Sequence, residues 1–160
     1  MNNKRMKKFT ELYENLSINY GKTPVFSDFV KMCAISIYNS FAKNKEMEQE
    51  YLKTINKYKK EHQELFIKMF SELIMMYEEI GDITDVLGQF YEVNHLNDKY
   101  LGQFFTPIHI SEFTSEVVAG EGDSIKKYIE NNGFVSITDP TCGAGRYVTC
   151  FCKKNEKRKY

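Results

Sequence analysis

The chain of 160 residues carries 22 Lys/Arg against 22 Asp/Glu, is 42% hydrophobic, and holds twelve Phe and eleven Tyr but no Trp. That is the composition of an ordinary soluble protein with room for one domain, or for one domain and part of another. No apolar run approaches the ~20 residues needed to span a bilayer, and the charged start MNNKRMKKFTELYENL has no apolar stretch of the signal-peptide kind.

From Lys4 to Leu16, Phe9, Leu12, Tyr13 and Leu16 recur at helical spacing. The stretch NYGKTP reads as a turn, and Ser27 as the cap of a helix over roughly 28–43 with Phe29, Met32, Cys33, Ile37 and Phe41 inward. A Lys/Glu-rich helix over about 46–60 follows, carrying Tyr51, Leu52, Ile55 and Tyr58. Residues 62–80 hold the widest apolar stripe: Leu65, Phe66, Met69, Phe70, Leu73, Met76, Tyr77 and Ile80, ended by Gly81. Asp82 or Thr84 is placed to cap a short helix bearing Val86, Leu87, Phe90 and Tyr91.

After about residue 94 the texture changes, and NHLNDKYLGQFF reads as loop. Thr106-Pro107 then predicts a helix start, with Thr as cap and Pro in the first turn. The helix runs over 108–119, GEGD breaks it, and Ser124 to Asn132 is a further short helix. The stretch FVSIT, 134–138, is the one convincing β-strand; DPTCGAG is a tight turn, and helix restarts at Arg146. The three prolines, Pro24, Pro107 and Pro140, each fall where the chain should change direction.

Charge is unevenly spread. Residues 1–60 carry 12 Lys/Arg against 6 Asp/Glu, residues 61–139 carry 4 against 15, and residues 140–160 carry 6 against 1. Basic ends of this kind suit nucleic-acid phosphates or serve as solvated helix faces. Cys33 stands alone and Cys142, Cys150 and Cys152 cluster, which makes no disulfide framework and fits a reducing, cytoplasmic compartment. The C-x-C spacing without a nearby His lacks the ligand pattern of common zinc sites, so no metal is expected.

Chemistry concentrates in two strings. A strand, a Gly-containing turn and a new helix form a recurring cradle for a polar cofactor, because glycines admit close backbone approach and free N–H groups greet anions. DPTCGAGR, 139–146, resembles the Asp-Pro-x-Cys-Gly-Ser/Ala-Gly signature, motif I, of adenine-N6 DNA methyltransferases. GQFFTP, 102–107, resembles the Gly-Gln-Phe-Tyr/Phe-Thr-Pro element, motif X, of type I restriction–modification modification subunits and related phage N-6 DNA methylases.

The resemblance implies a mostly α chain: a helical domain over 1–95, then over 96–160 the motif X helix, one strand and the motif I turn, the truncated start of an α/β Rossmann-like methyltransferase domain. It implies S-adenosylmethionine as cofactor. Thr106 and Pro107 would border its methionine group, Gln103, Phe104 and Phe105 would shape the approach, and Asp139, Pro140, Thr141, Cys142, Gly143, Ala144 and Gly145 would wrap the amino-acid moiety. Arg146 departs from the small residue common in the family at that place. The family's Asn/Asp-Pro-Pro-Tyr/Phe element, which grips the flipped adenine, does not occur in the 160 residues, and there is no Pro-Pro. No catalytic residue is therefore expected here, and the chain alone should be inactive. The remaining readings are a helical interaction or regulatory protein derived from such a methylase, binding a methylase or restriction partner or DNA, and a split enzyme. In the last case a second polypeptide supplies the missing strands; separately, strand 134–138 is expected to pair with another chain, as in a homodimer that completes the sheet.

Overall fold

A computed structural model describes residues 3–82, 84–96, 105–120 and 123–157. The described residues are mostly helical and fall into two compact units, Met1–Gly81 and Asp82–Tyr160.

The first unit holds α1 (Asn3–Tyr20), α2 (Lys22–Ala42), α3 (Lys45–Ile55) and α4 (Lys60–Ile80). α1 packs on α4 and α2, and α2 packs on α3. The i, i+4, i+7 spacing of Phe9, Tyr13 and Leu16 puts all three on one buried face, against Val25, Phe29 and Met32 of α2 and Phe66, Met69, Leu73 and Met76 of α4. Phe9 and Phe29 meet edge to face at 5.4 Å, as do Tyr58 and Phe66 at 4.5 Å. The buried Tyr13 hydroxyl donates to the Lys22 carbonyl at 2.9 Å.

Two sequence expectations in this unit shift. α2 starts at Lys22 behind Gly21, not at Ser27, which lies inside the helix. Pro24 is the reason: it occupies the first turn, where its missing N–H is one of the donors that have no partner anyway. Ile37 and Phe41 are exposed, whereas Val25 and Ile35 are buried. In α3, Asn44 caps by accepting from Glu46 N at 2.9 Å and Met47 N at 3.2 Å.

The second unit contains α5 (Val86–Val93), α6 (Ile108–Ala119), α7 (Asp123–Asn132) and α8 (Arg146–Lys157), with α6 packed on α8. Asp85, rather than Asp82 or Thr84, caps α5, its Oδ1 accepting from Gly88 N at 2.6 Å. At α6 the cap position belongs to Pro107, with Thr106 one residue outside and no side-chain cap bond. Pro107 itself is extended, with ψ 142°, so the helix begins one residue later than a Thr cap would start it. α6 turns the small residues Ser111, Ser115 and Ala119 inward and leaves Ile110, Phe113 and Val117 exposed.

The strand expected over 134–138 is not a strand. Residues 134–139 carry no regular secondary structure, and Phe134 and Val135 are exposed. A β-branched run supplies propensity, but a ladder needs a second strand to take its N–H and C=O groups, and no strand is present among the described residues.

Candidate functional site

In the second unit, the residues before and within the first turns of α6 meet the turn that leads into α8 at a cleft of about 320 Å³. Phe105, Thr106, Ser111 and Thr114 line it from the first segment, and residues 138–144, Arg146 and Tyr147 from the second. Of the residues singled out in the sequence, Phe105, Thr106, Asp139, Pro140, Thr141, Cys142, Gly143 and Ala144 thus share one cavity. Pro107 borders an adjoining one with Gln89, Glu92 and His109. Gly145 does not line the cleft; its N–H donates to the Cys142 carbonyl at 2.7 Å and closes the turn. Gln103 and Phe104 lie outside the described residues.

The turn is built by its own side chains. Asp139 Oδ1 accepts from Thr141 N at 2.9 Å and from Thr141 Oγ1 at 3.1 Å, an arrangement in which a short acid mimics a backbone turn. Gly143 has φ 52° and Gly145 φ 74°. A Cβ on Gly143 would meet the Phe105 ring at an ordinary 3.7 Å, so backbone conformation rather than space reserves the position for glycine. Ser115 fastens the two segments, its Oγ lying 2.6 Å from the Ser111 carbonyl and 3.2 Å from the Tyr147 carbonyl.

Arg146 is the densest node. It is the first residue of α8 and only 6% exposed. Nε donates to Asp85 Oδ2 at 2.7 Å, and the two terminal nitrogens form a fork on Glu92 at 3.0 and 2.7 Å. One of them also donates to the Thr106 carbonyl at 3.1 Å, and the guanidinium carbon lies 5.5 Å from the Phe105 ring centre. Hydrogen bonding to Glu92 raises the Arg146 pKa above its ordinary value, burial opposes this, and the bond to Asp85 adds to the rise. The fork geometry is one that Lys does not offer.

Sequence reading missed Asp85, Glu92, Gly88 and Ser111. A Cβ on Gly88 would sit 2.0 Å from Asp85 Oδ2, so the glycine makes room for the carboxylate that Arg146 grips. The Asp-x-x-Gly spacing at a helix start was the available signal. Ser111 is 1% exposed, borders the cleft, and among the described residues its Oγ is the buried side-chain polar atom without a hydrogen-bond partner. No group of three His, Cys, Asp or Glu is arranged for a metal ion among the described residues. Cys142 and Cys152 are exposed; Cys33 and Cys150 are buried, and burial pushes the Cys33 thiol up to about 12. No described helix is long and apolar enough to cross a membrane.

Residues 82–159 match the model of the family described as N-6 DNA Methylase. No curated protein and no solved structure matches the chain. The matched stretch starts where the second compact unit starts, at Asp82, and contains every residue of the cleft. With that match, the second unit is similar to the N-6 DNA methylase family over residues 82–159.

Proposed function

We propose that the second unit holds S-adenosylmethionine in this cleft, as the cofactor-binding part of a DNA adenine-N6 methyltransferase of the restriction–modification kind. The observation that carries the reading is the convergence of Phe105 and Thr106 with residues 139–144 on one cavity, although some thirty residues of chain separate them. The volume is at the lower end of small-ligand pockets, roughly 300–1,000 Å³. The lining suits the cofactor: an aromatic wall at Phe105, an acid at Asp139 for a cationic ligand, and an unpartnered hydroxyl at Ser111. Thr106 and Pro107 would border the methionine group, and Gln103, Phe104 and Phe105 would shape the approach. Asp139, Pro140, Thr141, Cys142, Gly143 and Ala144 would enclose its amino-acid end, with Gly145 closing the turn behind them, in the manner of a Rossmann-like first turn.

When bound, S-adenosylmethionine supplies the methyl group for adenine N6. The 160 residues contain no Asn/Asp-Pro-Pro-Tyr/Phe string to hold that base, so we expect no methyl transfer to DNA by this chain alone. The outward stripe of Ile110, Phe113 and Val117 supports a second polypeptide or a second copy as the partner that covers it.

The test combines calorimetry with thiol chemistry. Titration with S-adenosylmethionine should give saturable heat, and bound ligand should slow labelling of Cys142 while Cys152, exposed outside the cleft, labels at its free rate. Absence of heat at millimolar ligand, with Cys142 labelling unchanged, would refute the reading.

A further inference from the structure

Resting on the cofactor reading of the cleft, we propose that Arg146 is its positioning residue, a latch that fixes the two lining segments against each other through α5. Three features of the guanidinium carry this. It leaves the motif turn directly behind Gly145, so its backbone belongs to one segment of the cleft. Its side chain donates to the Thr106 carbonyl and lies over the Phe105 ring, which belong to the other. Its remaining donors are fixed by Asp85 and by the fork on Glu92, two carboxylates brought by α5 and its cap.

A simple structural ion pair would join helix to helix and stop there. This one spends a charged donor on a backbone carbonyl at the lip of the cleft. Asp85 is itself fixed, because its other oxygen caps α5 at Gly88, so the latch is tied to a rigid element. The position of Thr106 relative to the 139–145 turn therefore depends on Arg146 and, behind it, on Glu92, which does not line the cleft. Misplacing such a segment by a fraction of an ångström weakens binding without removing any contact residue.

The experiment uses the full chain, S-adenosylhomocysteine as the titrant, and the variants Arg146→Lys, Glu92→Gln and their combination. Lys keeps the charge but loses the fork and the Thr106 bond; Glu92→Gln leaves the Asp85 pair and thereby the fold in place. Each single variant should weaken binding about tenfold, and the double variant no more than either single one, since both break one latch. Amide exchange without ligand gives an independent readout. Both variants should speed exchange at Ile110 and Ser111, whose N–H groups bond to the Pro107 carbonyl, and at Gly145, while α7 stays unchanged. Wild-type affinity in Arg146→Lys and Glu92→Gln, or exchange unaltered in either segment, overturns the latch. Failure of the unaltered protein to bind S-adenosylhomocysteine defeats the cofactor reading instead, and the exchange measurement still decides the latch.

Discussion

Ser111 shows how a single atom can report on a site. A buried hydroxyl without a partner costs about 1–3 kcal/mol relative to its hydrated state, and Ser111 Oγ is in that position at the edge of the cleft. If ligand completes its hydrogen bonding, Ser111→Ala should move two quantities in opposite directions. The melting temperature should hold or rise, because no internal bond is lost, while S-adenosylmethionine binding should weaken about fivefold. Scanning calorimetry and titration on the same sample check both. A variant that loses stability and keeps affinity would make Ser111 an ordinary packing residue. The glycine at position 88 acts on the same scale: it contributes no side chain, and that absence is what admits the Asp85 carboxylate.

At the scale of elements, the join between α1 and α4 is electrostatic as well as apolar. Glu72 is buried, with Lys8 Nζ at 2.6 Å and Arg5 at 3.1 Å, and Arg5 also pairs with Glu79. The hydrogen bond from Lys8 holds the Glu72 carboxyl below its ordinary value, burial opposes it, and Arg5 adds to the lowering. A folded-state pKa below the unfolded one, about 4.3 for Glu, means stabilisation that is present above the unfolded value. It is lost as pH falls through the folded value. Thermal melts should therefore show Glu72→Gln a few degrees less stable at neutral pH, with the two curves converging below about pH 4. An equal deficit at every pH would point to packing alone. The helices themselves were largely legible, since stripes such as Phe66, Met69, Leu73 and Met76 encode a face directly. Where periodicity failed, a neighbour decided: Pro24 moved the start of α2, and FVSIT, with no pairing strand among the described residues, is irregular. The two motif strings located most of the cleft from sequence. Its latch was illegible because Arg146 finds Glu92 and Asp85 54 and 61 residues away, a pairing that no local pattern encodes.

At the scale of the whole molecule, the division into two compact units assigns the apolar helical core to one and the candidate cleft to the other. Phe9, Tyr13, Phe29, Phe66 and Met69 bury one another entirely within Met1–Gly81. Residues 1–81 expressed alone should accordingly give a helical circular-dichroism spectrum and a cooperative thermal transition of modest stability, as expected of a domain this small. A gradual, featureless melt would show that this core is insufficient by itself. The long separation between Arg146 and its carboxylates has a further consequence, one of timing. During synthesis α5 and the Phe105–Thr106 segment leave the ribosome first, with Asp85 and Glu92 still hydrated and the lip of the cleft unfastened. Local helices form in about a microsecond or less, whereas a closure across more than fifty residues must wait for its last participant to be made. The cleft cannot close before residues 138–147, which supply its second wall, have been made.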